Sequence, residues 1–124
     1  MKIRFALLIF IMSQFSCAEK IESDVEDIRK LEYLNPFVTG SVKDFHAVHD
    51  LDSGNLKFEY STDDDGIIQK IDSIARSQSW IPIDIRDTTR VYKKNVRIYG
   101  DESLEVTVEM KYSHHQRQLN FNVN

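Results

Sequence analysis

The side chains of this chain with chemistry to offer are four histidines, two acidic clusters, one cysteine and a group of cations. His46 and His49 stand three apart in a stretch of alternating polarity. On a strand they would point to opposite faces and could not share one ion. His114 and His115 are neighbours and diverge in the same way if extended. Asp50-x-Asp52 with Gly54 has the start of a calcium loop, but such a loop needs Gly at its sixth position and Glu at its twelfth. Counted from Asp50, those positions hold Asn55 and Ser61. The segment therefore reads as a hairpin turn. Asp63-Asp64-Asp65 reads as the head of a helix, where acids suit the dipole and Thr62 or Asp63 can cap free N–H groups. No metal site is predicted.

Covalent catalysis finds no foothold either. There is no Gly-x-Ser-x-Gly elbow, and the lone cysteine, Cys17, follows the apolar N-terminal run. Gly40, Gly54, Gly66 and Gly100 are scattered at turns and form no phosphate-cradling loop. No catalytic residue and no cofactor is assigned, although a pair of carboxylates brought together only in space would escape this reading. Arg86, Arg90, Lys93, Lys94 and Arg97 gather within twelve positions near Tyr92 and Tyr99. They could meet an anionic polymer or a lipid head group. Glu105 and Glu109 lie on a later strand and offer cross-strand partners, which makes a solvated, internally paired sheet face the plainer reading. Arg90, Arg97, Glu105 and Glu109 are accordingly expected to form a contact surface on the outward face of a sheet. The formal net charge of −4 over 124 residues gives no sign of a nucleic-acid partner.

The elements that must position these groups follow from periodicity. Ile21, Val25, Ile28, Leu31 and Leu34 trace one face of a helix over residues 19–34, ended by Asn35-Pro36. Residues 18–36 are thus a helical tether or a packed N-terminal helix, and 37–124 a single domain. Val42–His49 and Leu56–Tyr60 alternate and form a hairpin about the turn at 50–55. A helix runs from about Asp63 to Gln78, with Ile67, Ile71, Ile74 and Ala75 inward. Trp80 ends it, and its ring is expected to pack across the sheet. Short strands follow at Ile81–Ile85, Val91-Tyr92 and Val96–Tyr99, with Lys93-Lys94-Asn95 as a turn or an edge bulge. Leu104, Val106, Val108, Met110 and Tyr112 alternate with Glu105, Thr107, Glu109 and Lys111, so one face is apolar and the other wet. Leu119, Phe121 and Val123 alternate with asparagines in a last strand. The fold class is α+β: a mostly antiparallel sheet of two hairpin strands and three to four C-terminal strands, one helix on a face, and a short N-terminal helix.

The N-terminus has a different character. Lys2 and Arg4 precede eight uninterrupted apolar residues, Phe5–Met12, and small residues follow. The run is too short to span a bilayer and fits the apolar region of a secretory signal. Gln14-Phe15-Ser16-Cys17 resembles the lipobox of bacterial lipoproteins. Ser16 and Cys17 match that motif, while Gln14 and Phe15 stand where aliphatic residues are usual. The resemblance covers residues 1–17 alone. It implies a signal peptide over 1–17, lipid attachment at Cys17 and anchoring by several acyl chains, since a single chain holds only marginally. Ala18 after the cysteine implies, in a Gram-negative cell, transport to the outer membrane. Ordinary cleavage after Ala18, giving a soluble periplasmic protein, is the alternative.

Beyond that segment, 18–124 carries 14 basic and 20 acidic side chains. The expected protein is a small component of the bacterial cell envelope, membrane-anchored through Cys17 and facing the periplasm or exterior. It is expected to act as a non-catalytic binding or interaction module with a protein partner and no nucleic acid. A small envelope hydrolase is the alternative.

Overall fold

The computed structural model describes residues 20–124. Seven strands form one antiparallel sheet: β1 (Lys20–Ser23), β2 (Lys43–Asp50), β3 (Leu56–Ser61), β4 (Ile81–Ile85), β5 (Thr89–Tyr99), β6 (Glu102–Ser113) and β7 (Gln118–Val123). Their order across the sheet is β1-β2-β3-β7-β6-β5-β4. Three short helical pieces, α1 (Val25–Arg29), a 3-10 helix (Glu32–Phe37) and α2 (Ile67–Ser77), accompany it. The chain leaves β3 in mid-sheet, crosses through α2 to the far edge, and then returns strand by strand until β7 fits beside β3. Among the described residues no helix is long and apolar enough to cross a membrane.

The hairpin at 50–55 closes as its turn formers dictate. Asp50 Oδ1 accepts from the Asp52 N–H at 3.0 Å, and Gly54 sits at φ 74°, a conformation glycine adopts without steric cost. The helix expected over 19–34 is replaced by three pieces. Lys20–Ser23 pairs with the open edge of β2, where backbone groups gain ladder partners. Asp24 then starts α1 through a capping box with Asp27, so the helical period applies only from Val25 to Ile28. Pro36 lies inside the 3-10 helix. Ile28, Leu34, Pro36 and Phe37 are buried with the core residues of the sheet.

Lys93-Lys94-Asn95 is neither turn nor bulge. It lies within an unbroken strand, because β6 pairs residue by residue along β5 from Thr89 to Arg97. The helix at 63–78 begins later than its acids suggest. Thr62 Oγ1 accepts from the Asp64 N–H and Asp64 Oδ1 from the Gly66 N–H, while α2 itself starts at Ile67. The three aspartates disperse to three cations: Asp63 pairs with Lys43, Asp64 with Lys70 and Asp65 with Arg117.

All helical pieces cover one face of the sheet. The core there is aromatic at its centre. Phe58 and Phe121 are cross-strand partners stacked 4.5 Å apart, and Phe37 meets the Trp80 ring edge-on at 5.0 Å. The Tyr60 hydroxyl donates to the Phe37 carbonyl at 2.7 Å, and burial pushes its phenol well above the ordinary value. Val106, Val108 and Met110 face this core as alternation requires. Leu104, expected inward, is 54 % exposed. At the far edge Ile81, Ile83 and Ile85 are exposed on β4, where Pro82 and a bulge before Asp84 blunt edge pairing.

Candidate functional site

Among the described residues the opposite face of the sheet carries no helix. Its side chains are fixed by register. One cross-strand row runs His46, Glu59, Asn120, Lys111; the next runs Val48, Lys57, Asn122, Glu109, Val91. Further along come Thr107 beside Lys93, Glu105 beside Asn95, and Ser103 beside Arg97. Opposite charges recur at neighbouring positions, and several close on each other. Lys93 Nζ lies 3.3 Å from Glu105 Oε2, Lys111 Nζ lies 3.5 Å from Glu109 Oε1, and Gln118 Nε2 donates to Glu59 Oε2 at 2.9 Å.

A shallow depression of about 380 Å³ lies in the middle of this face. The asparagines of β7 form its floor, with Lys57 and Glu59 on one side and Glu109 and Lys111 on the other. His46 and Val48 close it towards β2. Among the described residues Asn122 Oδ1 is buried with no hydrogen-bond partner. The surface offers amide donors and acceptors between charges of both signs, and no serine or cysteine nucleophile is among the residues lining the depression. Such groups can grip a polar partner through hydrogen bonds and charge pairing. Compared with family models, with curated proteins and with solved structures, the chain matches none.

Of the four residues expected to form a contact surface, Arg97, Glu105 and Glu109 occupy rows of this open face. Arg90 does not. It pairs with Met110, and period two therefore turns it to the helix side. There its guanidinium is 19 % exposed and lies 3.5 Å from Asp72 of α2. Asp72 also accepts from the Tyr92 hydroxyl at 2.6 Å and from Arg76 Nε at 2.9 Å. Burial alone would raise the Asp72 pKa, but the hydrogen bonds from Tyr92 and Arg76 and the charges of Arg76 and Arg90 hold it below the ordinary value. Burial first, and the Asp72 bond second, push the Tyr92 phenol up to about 12. Arg90 thus belongs to a structural tie between helix and sheet. Cys17, the expected lipid attachment site, lies outside the described residues.

The histidines separate as alternation requires. His46 is on the open face, while His49 pairs with Leu56 on the other. Among the described residues no three His, Cys, Asp or Glu side chains converge to hold a metal ion. Sequence reasoning missed Lys57, Asn120 and Asn122 as members of one site. Their outward phase was readable from alternation, but the adjacency of β3 to β7 is a contact across about 60 residues of chain that no local pattern announces.

Proposed function

We propose that the chain is an exported, membrane-anchored component of the bacterial cell envelope that works as a non-catalytic binding module, with the open sheet face as its recognition surface. The observation that carries this reading is the one-sided covering of the sheet. Seven strands have helices on one face, and the other presents a continuous, register-fixed array of Asn, Lys and Glu around a central depression. Alternating charge of this kind selects a partner by complementarity and steers its approach more than it supplies raw affinity. The partner is a protein with a polar, charge-alternating surface of its own, and nucleic acid is not in view for an acidic chain. The α+β, helix-on-sheet architecture is part of the same reading: a rigid scaffold that leaves one face free. Anchoring through Cys17, as the lipobox-like segment implies, would hold that face in the periplasm or at the cell exterior.

The test places a photo-crosslinking amino acid at Asn120 on the open face, and separately at Ser73 on exposed α2, in cells producing the full chain. A discrete adduct from position 120, absent from 73 and weakened by Glu109→Lys, supports the reading. No adduct at 120, or equal adducts from both positions, overturns it.

A further inference from the structure

The two central rows of the open face are ordered in a way that shows when each is taken from both ends. Across β2, β3, β7, β6 and β5 the first row is Val48, Lys57, Asn122, Glu109, Val91. The second is His46, Glu59, Asn120, Lys111, Thr89. Laid against its own reverse, the first row sets Lys57 on Glu109, Asn122 on Asn122 and Val48 on Val91. The second sets Glu59 on Lys111, Asn120 on Asn120 and His46 on Thr89. Every charge meets its opposite, and the aliphatic ends meet each other.

A two-fold axis lying in the plane of the sheet along β7 reverses a row in this sense. A second copy turned about that axis lays its own open face on this one, with β2 over β5, β3 over β6 and β7 over β7. Such an interface is isologous, so each contact between two different residues occurs twice. Lys57 and Glu109 then pair twice, as do Glu59 and Lys111. A two-fold axis across the strands also opposes the charges, but it sets Val48 on His46 and Val91 on Thr89. The axis along β7 therefore fits better. At the rim Glu22 comes opposite Asp84, a meeting of like charges, and Asp84 already has Arg86 at 3.2 Å.

Asn122 adds an independent observation. Its Oδ1 is buried at the floor of the depression and lacks a hydrogen-bond partner among the described residues. A buried acceptor without a donor is costly. On the axis along β7 it would face the Asn122 of a second copy, and two side-chain amides can exchange N–H···O bonds across such an axis. The charges around it are available as well. Among the described residues Lys57 has no carboxylate within 4.0 Å. Glu109 and Lys111 hold each other only as an exposed pair.

We propose that the open face pairs with the open face of a second copy of this chain, about a two-fold axis along β7, as a reversible dimer. The proposal rests on the reading of that face as a recognition surface and names its partner. Facing sheets pack about 10 Å apart, a gap that Lys and Glu side chains reach across from both sides. Charge pairs and amides hold the two copies more than apolar area does. Each exposed pair contributes little alone, so the dimer is weak, forms in proportion to concentration and loosens with salt.

The full chain in neutral detergent is followed by sedimentation equilibrium at matched solvent density, from micromolar to sub-millimolar concentration. A reversible monomer–dimer equilibrium is expected. Lys57→Glu opposes acid to acid at two places and Glu109→Lys opposes base to base, so each should weaken the dimer about tenfold. An equimolar mixture of these two variants should dimerise again, because each copy supplies the charge the other lacks. The double variant should dimerise as well. Lys30→Glu, at the end of α1, should leave the parent behaviour unchanged. Circular dichroism checks that each variant is folded. Should one unfold, Glu59→Lys and Lys111→Glu make the same test in the second row. A parent that stays monomeric, single variants that dimerise like the parent, or a mixture no better than its components would overturn the proposal. A monomeric parent whose position 120 still crosslinks a different protein in cells removes the second copy and keeps the open face as a recognition surface. A monomer with no adduct at 120 removes both.

Discussion

The Tyr92 hydroxyl donates to Asp72 Oδ1 at 2.6 Å, and this bond fastens α2 to β5 across the helix–sheet boundary. Arg76 and Arg90 close on the same carboxylate. The tie matters because α2 is the crossover that carries the chain from mid-sheet to the far edge. Removing the acid would leave a buried phenol and a mostly buried guanidinium short of an acceptor. Asp72→Ala should therefore cost about 2–3 kcal/mol at neutral pH, read from the urea midpoint. The folded carboxyl ionises below its ordinary 3.8, so its contribution is complete above that pH and is lost as pH falls through the folded value. The variant should approach the parent in stability at acid pH. A gap that stays constant from pH 7 to pH 2 would show that the charge is not what is lost.

The phenols set the alkaline limit. The Tyr92 pKa rises from 10.0 to about 12 on folding, and that of Tyr60 rises as well. The unfolded chain releases these protons first. Stability from keeping them is complete below pH 10 and drains away as pH climbs to about 12. Tyr92→Phe should flatten this decline, measured as urea midpoints between pH 9 and pH 12, alongside phenolate absorbance. A decline unchanged in the variant would place the alkaline sensitivity elsewhere.

Trp80 is 2 % exposed and meets Phe37 edge to face. Truncation to Ala removes a large ring from a core that cannot wholly collapse, and should cost about 3–5 kcal/mol. Ser79→Gly, one residue earlier, should act in the opposite sense. It relieves a left-handed serine at the end of α2 and should add about 0.5–1 kcal/mol. Thermal unfolding of both variants checks the pair. A neutral Trp80→Ala would mean that the indole contributes nothing to folding.

Much of the sheet was legible because alternation is strict where one face is dry. Val106, Val108 and Met110 fell inward, and the 50–55 turn closed on Asp50 and Gly54 as their chemistry requires. Three features were not legible, each for a physical reason. Lys20–Ser23 is a strand only because β2 has an open edge to offer, which its own side chains do not encode. Lys93-Lys94-Asn95 looks like a turn, but β6 supplies continuous partners and Glu105 answers Lys93. Arg90 reads as a surface cation until its register with Met110 is known. The open-face site is legible only in part, since Glu109 and Lys111 come from one clean strand whereas their approach to Asn122 and Lys57 depends on strand order.

Export can be tested apart from the fold. If Cys17 is a lipid attachment site, cells fed labelled palmitate should yield labelled, membrane-bound protein, and Cys17→Ser should lose the label. Unlabelled soluble protein beginning at Glu19 would instead mean ordinary cleavage after Ala18, which keeps export and removes the anchor.

Neighbouring positions on β6 make the sharpest test of the two faces. Val108 is fully buried between Tyr92 and Val123, its partners in register. A carboxylate there would have no counter-charge, so Val108→Asp should abolish cooperative unfolding by circular dichroism. Glu109, one residue on, lies beside Asn122 on the open face and, among the described residues, pairs only with Lys111. An exposed pair of that kind contributes about 0–1 kcal/mol, so Glu109→Lys should shift the midpoint very little. Its effect should fall on association instead, because a reversed charge next to Lys111 breaks the alternation that a complementary partner would match. A folded Val108→Asp beside an unfolded Glu109→Lys would mean that the strand is one residue out of phase, with the recognition face buried and the core exposed.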